Sequence, residues 1–179
     1  MKKQNTRELL LDSAFQAFYT HGFQGANIAN ILNDVGINKG SMYHFFKSKK
    51  ALGLAVVTER IEVKILNKYK RVLEEDEAVK HLFDTLRSAP ETLSYGCPLN
   101  KLSQEMLYID NEFKVLLSKV YISFEKIIED ILKKEKVTNF KLKAKLIIAT
   151  YEGALMIYHL NQNKVEFRER LSSLEKQIL

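Results

Sequence analysis

The chain has 179 residues, 46% of them hydrophobic, with a formal net charge of +6 and one cysteine. That apolar content suits one or two packed domains, the lone thiol excludes an intrachain disulfide, and no apolar run approaches the roughly 18 residues of a membrane span. Only two prolines and seven glycines occur, which favours long helices over turn-rich sheets.

Asn5, with Glu8 three residues later, makes a capping-box-like start for a first helix. Leu11, Ala14, Phe15 and Phe18 recur in it at i, i+3, i+4 and i+7, and His21-Gly22 ends it with Gly22 at the C′ position. Asn27 is a good N-cap for a second helix, whose Ile28, Ile31, Leu32 and Val35 form one apolar stripe. Gly36 breaks that pattern as a turn needing positive φ would. Asn38 caps a short third helix from Lys39 to about Phe46, and Ser48 caps a fourth that carries Lys49 and Lys50 in its first turn. The fourth is expected to run to about Leu73, a stiff lever with Leu52, Ala55, Val56, Val63 and Leu66 near one face.

Glu74 to Glu77 is an acidic run, with Asp76 the expected cap of a helix over Glu77–Ser88 that buries Val79, Leu82, Phe83 and Leu86. Ala89-Pro90 stops it. Cys97-Pro98 then opens another helix, since proline is favoured at the first helical position. Cys97 has two readings: a reactive thiol with lowered pKa at a helix start, or a small buried hydrophobe. Asp110 caps a helix over Asn111–Lys134, and Val137-Thr138-Asn139 is a turn. The next helix is expected over about Phe140–Asn161; its central part, LIIATYEGALMIYHL, is apolar nearly all round, which marks burial on several sides, and Ala149, Gly153 and Ala154 permit close approach of another helix. A last helix carries Phe167, Leu171, Leu174 and Ile178. Nothing further in the chain is left to cover that stripe, so a second copy is expected to, with Gly153, Ala154, Phe167, Leu171, Leu174 and Ile178 as the dimer interface.

A helix, a turn with glycine and a short polar-faced helix form a helix-turn-helix, which sets its second helix in the DNA major groove. Asn38, Lys39, Gly40 and Ser41 lie at the end that enters the groove. Lys39 can donate to guanine O6/N7, Gly40 permits close backbone approach, and Ser41 and Asn38 can contact bases or phosphates. Lys49 and Asn27 lie at helix N-termini, where amides and dipole attract phosphate. Residues 1–50 hold Lys2, Lys3, Arg7, Lys39, Lys47, Lys49 and Lys50 against Glu8, Asp12 and Asp34, so most of the positive excess is concentrated there.

The run GFQGANIANILNDVGINKGSMYHFFKSKKAL resembles the N-terminal domain of the tetracycline-repressor (TetR) family of bacterial transcription regulators. The resemblance rests on Phe18, Gly22, Phe23, Ile28, Ile31, Val35, Gly36 and Ile37, continuing through Lys39-Gly40-Ser41, Tyr43-His44-Phe45, Lys49 and Leu52. Asn27 departs from the threonine usual in the family, and covers the same capping role. The resemblance spans about the first third of the chain. It implies an all-α fold of about nine helices, with a three-helix DNA-binding domain over 1–50 and an effector-binding and dimerisation domain over 51–179. It also implies that Tyr43 and His44 sit against the DNA backbone and that the last two long helices dimerise as a four-helix bundle. A cavity among the middle helices is implied for a small-molecule effector. Candidate lining residues are His81, Gln104, Tyr108 and Tyr121, together with Phe124, Tyr151, Glu152 and Tyr158. Glu152, a carboxylate on an apolar helix, needs a partner.

The nucleotide-binding glycine motifs and the H-E-x-x-H motif are absent from the sequence, and four scattered histidines offer no metal-ligand spacing. The expected protein is therefore a cytoplasmic, non-enzymatic, homodimeric repressor without cofactor or metal, bound to a palindromic operator and released by a ligand. The alternatives are a DNA-binding regulator with no small-molecule effector, including one sensing through Cys97, and a helical interaction protein that does not bind DNA.

Overall fold

The computed structural model describes residues 2–179, and the side chains from residue 5 onward. The described residues form helices joined by short turns, with no strand. In chain order the helices are α1 (Lys2–Gly25), α2 (Ile28–Val35), α3 (Lys39–Phe45), α4 (Lys49–Val56), a π-helical turn (Val57–Glu62), α5 (Val63–Glu74) and α6 (Ala78–Arg87). They continue as α7 (Ala89–Thr92), α8 (Pro98–Met106), α9 (Asn111–Lys134), α10 (Phe140–Asn161) and α11 (Lys164–Ile178).

The chain forms two compact units, one of residues 1–64 and 98–120, the other of residues 65–97 and 121–179. The expected boundary at residue 50 does not describe them. The first unit keeps α4 and the π turn, and it recruits α8 and the start of α9, because those elements pack on α1 and α4. The rings of Phe23 and Phe113 meet with centroids 4.9 Å apart. Lys50 at the start of α4 pairs with Asp110 at 2.7 Å. Leu10, Leu11, Ala14, Phe15 and Phe18 of α1 are buried, together with Ile31, Leu32, Met42, Phe46 and Leu52 of the following helices.

α1 begins at Lys2, ahead of the expected cap at Asn5. Its backbone leaves helical geometry at Gly22 (φ 77°), where the sequence pattern ends the helix, but the chain resumes a further turn to Gly25. The lever expected over residues 48–73 is continuous, but it contains the π turn. A π turn breaks the i→i−4 ladder. The Thr58 hydroxyl caps the disturbed ladder by donating to Ala55 O at 3.2 Å and to Leu54 O at 3.4 Å. Two arginines tie the turn to α1: Arg7 Nη1 donates to Glu59 Oε2 at 2.7 Å, and Arg60 Nε donates to Asp12 Oδ1 at 2.6 Å.

In the second unit α10 packs along α11, and α11 packs on α6. Leu82, Phe83 and Leu86 of α6, Ile147, Tyr151 and Leu155 of α10, and Phe167 and Leu171 of α11 form its core. The expected cap of α6 at Asp76 is not used. The residue before α6 is Glu77 in left-handed geometry (φ 51°), and the Val79 amide is taken by Glu135 Oε1 at 2.9 Å instead. Helix α9 starts as expected: Asp110 Oδ1 accepts from Glu112 N at 2.9 Å and Phe113 N at 3.2 Å.

Candidate nucleic-acid interface

The turn between α2 and α3 is a complete Schellman motif. Gly36 is left-handed (φ 70°, ψ 33°), its N–H donates to Asn33 O at 3.1 Å, and Ile37 N donates to Leu32 O at 3.0 Å. Both helices are capped by asparagine. Asn27 Oδ1 accepts from Ala29 N at 2.8 Å, and Asn38 Oδ1 accepts from Ser41 N at 2.9 Å. The Ser41 hydroxyl donates to the same Asn38 oxygen at 3.2 Å. Asn38 and Ser41 thus spend part of their polarity on the helix start.

Helix α3 is anchored by one face. Met42 and Phe46 are buried, and the Arg7 guanidinium lies 5.1 Å from the Phe46 ring centroid. Phe45 is half-buried. The other face is exposed and carries Asn38, Lys39, Gly40, Tyr43 and His44, with Asn27 exposed at the start of α2. Their mutual placement presents a cation, amide donors and an unhindered backbone at the N-terminal end of a short helix. Such an end fits a major groove.

Lys49, expected as a phosphate contact, has partners within the chain. It donates to Gln24 O at 3.2 Å and lies 5.0 Å from the Phe23 ring centroid. Desolvation there lowers its pKa, partly offset by the charge of Glu105. The helix start alone suggested phosphate, because nothing in local sequence places the Phe23 ring beneath the lysine stem.

A family model described as "Bacterial regulatory proteins, tetR family" matches residues 10–56, the segment that contains this turn and both capped helices. Residues 10–56 thus carry the DNA-binding segment of the TetR family of bacterial regulatory proteins. It is 29% identical over 171 residues to an HTH-type transcriptional regulator from the lacX 3′ region of Lactococcus lactis, covering 89% of this chain and 86% of that one. It is also 29% identical over 125 residues to the Escherichia coli repressor NemR, covering 65% of this chain and 62% of NemR. Among solved structures, the reduced form of E. coli NemR has the same fold with a TM-score of 0.87 at 22% identity, covering 96% of each chain. A TetR regulator from Chloroflexus aurantiacus matches with a TM-score of 0.88 at 24% identity, over 99% of this chain and 96% of that one. This protein is a DNA-binding transcriptional regulator, and α2–turn–α3 is its helix-turn-helix.

The TetR resemblance also suggested effector-lining residues, and the structure separates them. Phe124, Tyr151, Glu152 and Tyr158 are buried in the second unit, and Tyr121 is half-buried. His81 is exposed on α6. Gln104 and Tyr108 belong to the first unit and are exposed, Tyr108 by 91%. Those three do not line a buried cavity. Tyr108 follows the last turn of α8, where its ring is pushed outward rather than into a helix seam. Sequence reasoning missed Tyr69, which is buried with its ring 4.9 Å from Phe124. Burial, reinforced by the charges of Cys97 and Glu152, pushes the Tyr69 phenol pKa up, so it stays protonated. The neighbouring Lys68 is shifted down by desolvation, opposed by Cys97.

The dimer-face assignment also needs correction. Phe167, Leu171, Leu174 and Ile178 are buried within the chain itself, because α6 and α10 cover them. Ala154 is buried too, and Gly153 is half-exposed with open space where a side chain would stand. The uncovered apolar face lies on α10: Leu142, Leu146, Ala149, Gly153, Met156 and Leu160 recur at alternating steps of four and three. Leu146 and Met156 are about half exposed, and Leu160 is 79% exposed. Beside this face an open groove of about 500 Å³ runs between α10 and α11, lined by Gly153, Ile157, Arg170 and Gln177 among others.

Proposed function

We propose that the protein is a ligand-released repressor that works as a homodimer on a palindromic operator in the cytoplasm, with no catalytic chemistry of its own. The observation that carries this reading is the anchored α3, whose exposed end offers Asn38, Lys39 and Gly40 above a buried Met42. One such helix contacts only a few base pairs, so specific affinity needs a symmetry mate about 34–36 Å away or a multiple of that distance. The apolar four–three stripe on α10 supports that mate, since monomeric proteins rarely leave such a face in water. The repressors NemR and, from a Mycobacterium, DhaR are among its relatives, which favours repression over activation. No helix among the described residues is long and apolar enough to cross a membrane.

Fluorescence anisotropy with the gene's own upstream duplex, alongside sedimentation, tests the reading. A dimer should bind a two-fold-symmetric site at least about a thousandfold more tightly than random duplex. A monomer, or equal affinity for both duplexes, would overturn it. The effector arm is tested by thermal shift against a metabolite panel, where a hit must also lower operator affinity by linkage.

A second reading replaces the ligand by a thiol event at Cys97. It is favoured by the electrostatic coupling of Cys97 to Lys68 and Tyr69. It is opposed by the burial of the thiol at 8% exposure. Alkylation of the native dimer by iodoacetamide separates the two readings: rapid loss of operator binding supports the thiol event, and a thiol inert until unfolding supports the ligand.

A further inference from the structure

At Gly22 the α1 ladder is broken, and the break has a defined cost. In an unbroken helix the Phe23 amide would donate to Tyr19 O and the Gln24 amide to Thr20 O. The positive φ of Gly22 removes both bonds, leaving two donors and two acceptors. Each of the four is satisfied from α8. Glu105 Oε2 accepts from Phe23 N at 2.7 Å, and Oε1 accepts from Gln24 N at 2.6 Å. Lys101 Nζ donates to Tyr19 O at 2.7 Å and to Thr20 O at 3.3 Å. Lys101 and Glu105 stand one helical turn apart, so a single face of α8 supplies a cation for the carbonyl side of the break and an anion for the amide side. The direction is matched to the backbone, because carbonyls carry negative and amides positive partial charge.

A side chain at the break would displace the Glu105 carboxylate from its bonds, and the positive φ of Gly22 disfavours one there. A Cβ on Gly22 would stand 2.9 Å from Glu105 Oε2. Beyond the break the chain makes one short turn and enters α2 through its Asn27 cap. Lys49 bonds the Gln24 carbonyl from the α4 side of the same turn. The Gly22–Ala26 segment therefore sets the direction in which the helix-turn-helix leaves α1, and Glu105 and Lys101 hold that segment.

We infer that Lys101 and Glu105 are positioning residues for operator binding: they replace the two missing backbone bonds of α1 and so fix the orientation of α2 and α3. Neither residue touches DNA. This inference rests on the DNA-binding reading of α3.

The test uses the full-length protein with Glu105→Gln, Lys101→Met and Lys101→Arg. Glutamine keeps the shape but offers one acceptor oxygen and sets an NH2 against the other amide. Hydrogen exchange by NMR should show the Phe23 and Gln24 amides slowed in the wild type, and at least one of them exchanging about tenfold or more faster in Glu105→Gln. The amides of Leu10 to Phe18 should be unchanged. Operator affinity should fall about tenfold in Glu105→Gln and Lys101→Met, with random-duplex affinity unaltered, and Lys101→Arg should retain it. Faster exchange with undiminished operator affinity would overturn the inference, as would a general loss of α1 protection in every variant. Failure of the wild type to prefer operator over random duplex is a different result: it overturns the DNA-binding reading and leaves the exchange measurement standing.

Discussion

Gly53 on α4 is in direct contact with the ring of Phe23. A Cβ at Gly53 would stand 2.5 Å from Phe23 Cε2 and 2.8 Å from Phe113 Cζ. The residue is buried, mid-helix, where glycine would ordinarily be a liability relative to alanine. The close approach of two rings explains why glycine occupies this position. Gly53→Ala should therefore destabilise the protein by about 1–3 kcal/mol by overpacking, against the gain alanine brings in an open helix. Urea unfolding with an unchanged m-value measures it. A stabilised variant would mean the rings move aside freely and the contact does not organise the unit.

Lys39 and Lys49 are ten residues apart and should behave as opposites. Lys39 is exposed at the entering end of α3. Lys39→Ala should weaken operator binding by about 1–3 kcal/mol and relax base preference at one position per half-site. Lys49 is bonded to Gln24 O and stacked over Phe23. Lys49→Ala should lower thermal stability and leave the salt slope of random-duplex binding unchanged, since no released counterion is attributable to it. Titrating affinity against salt distinguishes the two. A slope reduced by about one unit in Lys49→Ala would restore it to the DNA contacts.

Much of this architecture was legible in the chain, and the illegible part has a common cause. The bounds expected for α9 and α10 coincide with those observed, because Asp110 is a local cap and the apolar runs are long. The Gly36 turn and the Asn27, Asn38 and Ser48 caps are equally local. The Lys101–Glu105 clamp joins residues 81–82 apart, and no pattern in either segment announces it. The central part of α10 is apolar nearly all round, so periodicity cannot tell which side the chain covers for itself. That is why the expected dimer face joins Gly153 and Ala154 of α10 to an α11 stripe whose Phe167 and Leu171 are in fact intrachain core. The π turn escapes for a third reason: one extra residue in a helical turn leaves no compositional mark.

The tie between α1 and the π turn carries a pH signature. The hydrogen bond from Arg7 holds the Glu59 carboxyl below its ordinary range, opposed by partial burial. A carboxylate depressed in the folded state stabilises fully above its unfolded pKa, and that contribution fades as pH falls through the folded value. Stability should thus decline on acidification from roughly pH 5 to 3, and Glu59→Gln should flatten that limb while lowering stability at neutral pH. Thermal midpoints of both proteins across this range test it. Parallel acid limbs would mean that other carboxylates dominate.

The proposed dimer through the α10 stripe predicts which substitutions break it. In a two-fold dimer each substitution is present twice and can face its own copy. Leu146 and Met156 lie ten residues apart on the exposed face, with half-exposed Gly153 between them. A glutamate at either position would bury charge against an apolar partner or against its own mate. Leu146→Glu or Met156→Glu should give a folded monomer by sedimentation, with helix content by circular dichroism unchanged. Operator affinity should then fall by at least about a hundredfold, because one recognition helix is left to bind without its symmetry mate. Leu171→Glu should behave differently: its side chain is fully enclosed by its own chain, so the fold itself is lost. If instead Leu171→Glu yields a stable monomer and Leu146→Glu stays dimeric, the partner lies on α11 and the α10 stripe serves another purpose.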